Sequence, residues 1–476
     1  MTNSQQLSQP NALYVLFFTE MWERFSYYGM RALLVLYLVS QFKFERADAL
    51  EIYAIFTGLV YITPIIGGLL ADKILGQQKA IFIGGLLMAF GQFALAAGES
   101  SFYIGLGLIC VGNGFFKPNI STIVGTLYQE NDPRRDGGFT IFYMGINIGA
   151  FLAPLICGYL GEQVSWSYGF AAAGVGMLLG TAILYFFGKI LGKSGLPPNT
   201  QHNKLVFKDL IDVLVYVVVC VSLVLGAVFF WTNISQSIRD VIKYIGFGGG
   251  ALALVYTVAT NTKGADEWGR MVVIFFLLFF NVFFWAGFEQ AGGTFNLFAA
   301  QNTDRSFFGA EIPASYFQAI NSIFIFTIAP LFSIMWQYLN AKNLEPSTPY
   351  KFAYALALLG VGFVVMHLAS QQAESGLVSP LWLVMVYFFH TLGELCLSPV
   401  GLSMITKLAP QRIVSVMMGL WFGSIASAQY VAGILESLLH QFEAPLFLFL
   451  IATSFTASAC LFLLAGWLKK MMRGVL

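Results

Sequence analysis

Long apolar segments alternate with short polar connectors along nearly the whole of this sequence. Each apolar segment has about 20 residues or more, enough for a helix to cross a hydrocarbon layer about 30 Å thick. Backbone groups in lipid must be hydrogen-bonded within their own segment, so these segments are predicted to be α-helices. The predicted spans are 12–40, 48–71, 79–97, 101–128, 138–162, 166–188, 210–231, 239–260, 270–300, 312–340, 349–369, 379–407, 412–440 and 443–470.

These fourteen spans fall into groups of six, two and six. The longest polar connector, "GKSGLPPNTQHNK" at 192–204, follows the sixth span. The loop after the second span, "GGLLADKILGQQK" at 67–79, resembles the loop signature of major facilitator transporters. The pattern predicts an all-α polytopic membrane protein with the major facilitator fold. Its predicted parts are an N-terminal six-helix bundle at 1–191, a linker and inserted two-helix hairpin at 192–262, and a C-terminal six-helix bundle at 263–476.

The composition agrees with a membrane protein. Of the residues, 58% are hydrophobic and only 10% are charged, and the mean hydropathy is +0.74. Soluble domains have about 25% charged residues. The sequence has no basic patch, so no nucleic-acid partner is predicted. The 5 cysteines lie in apolar runs and are predicted to be small buried residues rather than disulfides or metal ligands. No metal site, cofactor or obligate protein partner is predicted.

The basic residues are distributed unequally between the connectors. With the N-terminus placed inside the cell, seventeen of the 25 Lys and Arg residues fall on the cytoplasmic side, five fall outside and three lie within spans. Cytoplasmic loops are enriched in Lys and Arg. The N-terminal segment lacks the basic region of a signal peptide. We therefore predict a multi-pass protein of the cell inner (cytoplasmic) membrane, with both termini in the cytoplasm.

The first span contains ionisable residues at positions where a charge is costly to place in the membrane. Glu20, Arg24, Tyr27, Tyr28 and Arg31 share one helical face by their spacing, and Glu23 lies at its edge. Placing one such charge at the membrane centre costs roughly 3 kcal/mol even on a mild scale. This face is therefore predicted to line the protein interior or a wet cavity.

Charged residues of later spans lie at similar predicted depths. By helical rise, Lys117 and Glu394 share a layer with Arg24, and Glu289 shares an outer layer with Arg31. Lys117 is thus predicted to pair with Glu394, and Arg31 with Glu289, across the two bundles. A single buried ion pair could also serve only to hold helices together.

The signs of these groups do not balance. Three cations (Arg24, Arg31 and Lys117) face four carboxylates (Glu20, Glu23, Glu289 and Glu394). One carboxylate is in excess, so one proton is predicted to reside here near neutral pH. This is the property that a proton-coupled carrier requires.

Five sequence motifs, in order along the chain, resemble those of the proton-dependent oligopeptide transporters, bacterial type. "EMWERFSYYG" at 20–29 looks like the ExxERFxYYG signature of that family, and "FYMGINIGAF" at 142–151 resembles its fifth-helix motif. The other three, "GNGFFKPNIS" at 112–121, "FFWAGFEQ" at 283–290 and "GELCLSPVGLSMITKLAP" at 393–410, are similar to its fourth, seventh and tenth core helices. The resemblance extends over essentially the whole chain.

The resemblance implies proton-coupled import of di- and tripeptides by alternating access, with the bilayer as surroundings and the proton as coupling ion. Peptide-like drugs would be further substrates. The implied proton-coupling residues are Glu20, Glu23, Arg24, Lys117 and Glu394. The implied gating pairs are Arg31 with Glu289 and Lys117 with Glu394. The implied peptide-binding residues are Tyr27, Tyr28, Arg31, Tyr61, Lys117, Asn147, Trp285, Glu289, Asn321, Glu394, Trp421 and Ser424.

Two other functions stay open at this point. A related major facilitator carrier could transport a different small solute, such as nitrate or a drug. A membrane enzyme acting on peptides or lipids is disfavoured, because the sequence has no HExxH motif, no GxSxG motif and no cysteine–histidine pair.

Overall fold

The structure is a computed structural model that describes residues 8–472, apart from 72–74, 130, 131, 133, 308, 411, 412, 442–444 and all but a few positions of 197–257. The described part is almost entirely helical, and twelve of its helices have 20 residues or more. The helices are α1 (Asn11–Ser40), α2 (Arg46–Leu70), α3 (Gln77–Ala96), α4 (Phe102–Thr126), α5 (Arg135–Tyr159), α6 (Trp166–Phe187), α7 (Gly264–Phe288), α8 (Thr294–Asn302), α9 (Gln318–Ala341), α10 (Thr348–Ala373), α11 (Leu381–Leu408), α12 (Val414–Gln441) and α13 (Leu446–Met471).

The long helices coincide with predicted spans one to six and nine to fourteen. Nine helical segments of the described part are long and apolar enough to cross a membrane by length and composition. The prediction of an all-α polytopic membrane fold is therefore confirmed. The predicted hairpin at 210–231 and 239–260 lies outside the described residues except for isolated positions. The three-part division of the chain stays a prediction.

The predicted ninth span is not one continuous helix. The sequence pattern predicted a span over 270–300, whereas α7 ends at Phe288, a 3-10 turn follows at Glu289–Gly292, and α8 begins at Thr294. A Cβ atom added at Gly292 would lie 2.0 Å from the Tyr53 hydroxyl oxygen. Glycine therefore allows the chain to pass close to Tyr53 at this break.

Contacts divide the described residues into two units. The first contains the described residues up to 222 together with Gly292–Gln301 and Arg305–Ile323, and the second contains the others. In the first unit α1 packs against α5 and α6, α3 packs against α4 and α6, and α2 packs against α4. In the second unit α10 packs against α11 and α13, and α7 packs against α12 and α13.

Glycine allows two close helix contacts in the first unit. A Cβ atom at Gly149 of α5 would lie 2.3 Å from the Met21 carbonyl oxygen, and one at Gly84 of α3 would lie 2.5 Å from the Gly112 carbonyl oxygen. Small residues allow helix backbones to approach closely where lipid provides no hydrophobic drive for association. The first contact brings α5 directly against the segment of α1 that contains Glu20 and Arg24.

A small strand pair lies in the connector after α8. β1 (Ser306–Phe307) and β2 (Ala310–Glu311) are antiparallel, with Ser306 opposite Glu311 and Phe307 opposite Ala310. The following 3-10 turn, Ala314–Phe317, leads directly into α9. This connector belongs to the first unit from Arg305 onward.

The cysteine prediction was only partly right. Cys110, Cys157 and Cys396 are buried and have free thiols. Cys460 on α13 is exposed, so the prediction that it is buried was wrong. A helix with a lipid-facing side can place an apolar residue outward at no cost, and sequence alone does not give the rotation of α13. Cys220 lies outside the described residues.

Candidate functional site

The charged residues of α1 form one buried cluster, which we call the α1 cluster: Glu20, Glu23 and Arg24. The exposed fractions are 3%, 0% and 3% in that order. Arg24 Nε lies 3.2 Å from Glu20 Oε1 and also donates a hydrogen bond to Glu23 Oε2. The i, i+4 spacing of Glu20 and Arg24 places them on the same side of the helix. The structure thus brings together the three residues that the sequence predicted for this face.

One residue from another helix joins this cluster. Asn113 on α4 is fully buried and donates from Nδ2 to Glu23 Oε1 over 3.2 Å. Sequence reasoning did not single out Asn113, although it lies four residues before Lys117 and therefore on the same side of α4. That spacing was the available signal.

The α1 cluster keeps unused hydrogen-bonding capacity. Glu20 Oε2 and Arg24 Nη2 are buried and have no hydrogen-bond partner among the described residues. With two carboxylates for one guanidinium, the cluster has one negative charge in excess. A buried carboxylate in excess of its cations is stabilised by taking a proton. The α1 cluster is therefore a candidate site for a proton.

Each of the three cations within the membrane lies close to a tyrosine ring. The Arg24 Cζ atom lies 5.5 Å from the ring centre of Tyr27, and the Arg31 Cζ atom lies 5.8 Å from that of Tyr28. Lys117 Nζ lies 4.5 Å from the ring centre of Tyr61. Cation–π contacts contribute about 0.5–2 kcal/mol, more where water is excluded. The first unit therefore places three cations beside three of the tyrosines that the sequence predicted for peptide binding.

A further tyrosine, which the sequence did not single out, contacts Arg31. Tyr53 of α2 is 2% exposed and its hydroxyl oxygen accepts a hydrogen bond from Arg31 Nε at 2.6 Å. Tyr53 lies eight residues before Tyr61, so the two share one side of α2. That periodicity could have drawn attention to it.

The predicted site residues of the second unit are mostly buried. Glu289, Glu394, Trp421 and Ser424 are each less than 9% exposed, and Trp285 is half-buried. The indole Nε1 of Trp285 has no hydrogen-bond partner among the described residues. An available N–H donor on a half-buried aromatic is suited to a ligand contact.

Ser424 belongs to a neutral polar contact between α7 and α12. Asn281 Nδ2 donates to Ser424 Oγ over 2.8 Å, and Ser424 Oγ donates to the Trp421 carbonyl oxygen over 2.7 Å. Asn281 is fully buried and was not singled out from the sequence, because a lone asparagine in an apolar run has no distinctive spacing. This contact fixes Ser424 close to Trp421.

Two asparagines predicted to bind the peptide amino group belong to the first unit. Asn147 of α5 is 6% exposed and donates to the Tyr143 carbonyl oxygen over 3.0 Å. Asn321 lies in the first turn of α9, and the first unit extends to Ile323. The predicted pairs of Lys117 with Glu394 and of Arg31 with Glu289 join residues of different units and stay predictions.

Comparison with known proteins gives consistent results. The POT family model matches residues 78–450. The chain is 40% identical to the peptide transporter YePEPT of Yersinia enterocolitica, over 90% of this chain and 87% of the relative. It is 36% identical to a di-/tripeptide transporter of Lactococcus lactis, over 90% of both chains.

The fold agrees with a solved structure as well. A crystal structure of a peptide transporter POT in complex with sulfate has a TM-score of 0.86, at 36% identity, over 98% of this chain and 97% of the other. The family model and the relatives together establish what the motifs of α1, α4 and α5 indicated. The chain belongs to the POT family of transporters.

Proposed function

We propose that this protein imports di- and tripeptides together with protons across the inner membrane by alternating access. The observation that supports it most directly is the α1 cluster, in which two buried carboxylates share one guanidinium. Peptide transport by the relatives, as their names state it, supports the choice of substrate.

Proton coupling is assigned to the carboxylates of the α1 cluster together with Lys117 and Glu394. Protonation of Glu20 or Glu23 would remove the excess negative charge beside Arg24. A proton moving inward yields roughly 2.3 kcal/mol per 100 mV and about 1.4 kcal/mol per pH unit. At 100 mV and one pH unit this sum sustains a peptide gradient of roughly 500-fold.

Peptide recognition is assigned to groups that match the two charged ends shared by all peptides. In this proposal Arg31 attracts the carboxylate, while Glu394, Asn147 and Asn321 receive the ammonium group. Charge-assisted hydrogen bonds contribute about 1.5–3 kcal/mol each. The aromatic residues Tyr27, Tyr28, Tyr61, Trp285 and Trp421, with Ser424, would contact side chains without requiring one shape.

Alternating access is assigned to the pairs Lys117–Glu394 and Arg31–Glu289. Binding of the peptide ends would compete with these pairs for the same charges, so an occupied site would loosen one pair and allow the other to form. In the proposed topology both termini lie in the cytoplasm. Terminal tags that react only with reagents on the cytoplasmic side would test this placement. The proposed function involves no cofactor and no obligate protein partner.

The test of transport is uptake of a labelled dipeptide into proteoliposomes with and without an inward proton gradient. We expect accumulation above the external concentration only with the gradient, and competition by unlabelled tripeptide but not by nitrate. Uptake that ignores the gradient would contradict proton coupling. Competition by nitrate would favour a carrier for another solute.

The Lys117→Ala variant tests the assignment of Lys117. Gradient-driven uptake should fall at least tenfold, because the cation beside Tyr61 is lost, while exchange of peptide across the membrane should persist. The matched control is Lys189→Ala, since Lys189 is exposed in the 3-10 turn that follows α6. Full driven uptake by the Lys117→Ala variant would refute the assignment.

A further inference from the structure

The indole ring of Trp421 lies against a position of α11 that has no side chain. A Cβ atom added at Gly401 would lie 2.1 Å from Trp421 Cη2, 2.8 Å from Cζ2 and 2.9 Å from Cζ3. These three atoms form the far edge of the indole, and all three distances are too short for a real Cβ atom. The ring can therefore occupy this place only because residue 401 is glycine.

Trp421 is also held on its other sides. Ser424 Oγ donates a hydrogen bond to the Trp421 carbonyl oxygen over 2.7 Å, and accepts one from Asn281 Nδ2 over 2.8 Å. The ring of Phe352, which is fully buried on α10, has its centre 6.5 Å from that of Trp421. An indole is rigid and has only two rotatable bonds. A ring pushed away from α11 must therefore move as a whole, towards the side on which Trp421 is 4% exposed.

We infer that Gly401 is a positioning residue that determines which peptide side chains the transporter accepts. The space left by its missing side chain allows the indole to lie close to α11, which leaves room for a substrate side chain on the exposed side of the ring. A methyl group at 401 would push the ring into that room and favour peptides with small side chains. This inference rests on the proposed contact of Trp421 with peptide side chains.

The experiment measures how unlabelled peptides compete with uptake of labelled alanyl-alanine by wild type and by the Gly401→Ala variant. The competitors are alanyl-alanine, alanyl-phenylalanine and phenylalanyl-alanine, so that the bulky side chain is tested at both positions. We expect affinity for one of the phenylalanine peptides to fall about tenfold and affinity for alanyl-alanine to stay within about twofold. Equal losses for all three peptides would indicate a purely structural role and overturn the inference.

Gly466→Ala is the matched control. Gly466 lies on α13 and is exposed, and a Cβ atom added there would have no atom within 4 Å. The substitution is the same glycine-to-alanine change within a long helix of the second unit. All three affinities of this variant should equal those of wild type.

A double-substitution cycle tests whether Gly401 acts through Trp421. Phenylalanine has a smaller ring, so in a Trp421→Phe background the further change Gly401→Ala should alter the ratio of the affinities by less than about twofold. A tenfold further change would show that Gly401 acts independently of Trp421. Should Gly401→Ala alone fail to fold, recovery of folding by Trp421→Phe would support the contact, and failure of both variants would overturn the inference.

Trp421→Phe alone separates this inference from the proposed function. Its smaller ring should raise affinity for the same phenylalanine peptide, relative to alanyl-alanine, by at least about twofold. If the ratio stays that of wild type, the proposed contact of Trp421 with peptide side chains fails. If Trp421→Phe changes the ratio and Gly401→Ala does not, only the inference on Gly401 fails.

Discussion

The first unit has two clusters of opposite charges that are built in contrasting ways. The α1 cluster has all its charges on one helix and is almost completely buried. The second cluster, which we call the Glu162 clasp, joins the connector between α5 and α6 to the connector between α8 and α9. Glu162 accepts hydrogen bonds from the backbone N–H groups of Ala314 at 2.7 Å and Ser315 at 2.9 Å, and Arg305 pairs with Glu311 at 2.5 Å.

The two clusters differ in how completely their hydrogen bonds are made. In the clasp, Arg305 also donates to the Ile312 carbonyl oxygen over 2.7 Å and lies 3.9 Å from Glu162, while Glu311 is 63% exposed. The clasp borders a cavity of about 370 Å³, so water can solvate its charged groups. The α1 cluster leaves a carboxylate oxygen and a guanidinium nitrogen without partners among the described residues. The clasp is therefore suited to holding two connectors together. The α1 cluster is suited to a change of its protonation state.

The largest expected difference between the clusters concerns their arginines. Arg24→Gln removes the guanidinium that two buried carboxylates share, so we expect a loss of about 3–5 kcal/mol in unfolding free energy and no driven uptake. Arg305→Gln should cost only about 1–2 kcal/mol and keep most of the uptake, because its partners reach water. Thermal unfolding in detergent and uptake in proteoliposomes measure both. Equal effects of the two substitutions would remove the distinction between the clusters.

A smaller difference in uptake and stability is expected between the glutamates of the two clusters when each is replaced by glutamine. Glu20→Gln removes a carboxylate that the proposed function assigns to proton uptake, so accumulation should be lost and the remaining exchange should no longer depend on pH. Glu162→Gln keeps one acceptor oxygen for the N–H groups of Ala314 and Ser315 but replaces the other by a donor, which costs about 1–2 kcal/mol of stability. The pH dependence of uptake should be unchanged in that variant.

The measurement for these glutamates is uptake and peptide exchange between pH 5 and 8 for wild type and both variants. A wild-type pH profile in Glu20→Gln would exclude Glu20 from coupling. A shifted pH profile in Glu162→Gln would show that the clasp also takes part in coupling.

The smallest effect is expected for a half-buried pair in the connector between α4 and α5, Asp132 and Arg134. Arg134 Nη2 donates a hydrogen bond to Asp132 Oδ2 over 2.8 Å, and this bond holds the pKa of the Asp132 carboxyl below its usual range. A lowered pKa contributes stability that is present above the unfolded pKa, about 3.9, and is lost as pH falls through the folded value. Asp132→Asn should thus lower the unfolding temperature slightly at pH 7 and not at all well below pH 3. A larger loss at low pH would contradict this sign.

Sequence reasoning succeeded where neighbours are set by one helix. The pairing of Glu20 with Arg24 follows from four-residue spacing, and the helices follow from the length of the apolar runs. The motifs around Glu20, Lys117 and Asn147 indicate the family that the comparisons establish. The sequence did not indicate the Glu162 clasp, because Glu162 and Ser315 are 153 residues apart and lie in connectors without periodicity.

The amino-acid sequence by itself determined the α-helical membrane fold, the family and the charged face of α1, because hydrogen bonding in lipid and helical periodicity are local constraints. Only the tertiary structure decided that Asn113 completes the α1 cluster, that Tyr53 holds Arg31 and that the helix after Phe288 breaks against Tyr53. These contacts depend on the rotation and approach of separate helices. Side-chain packing between helices determines their rotation and their distance of approach. Residue spacing along one helix contains no information about either.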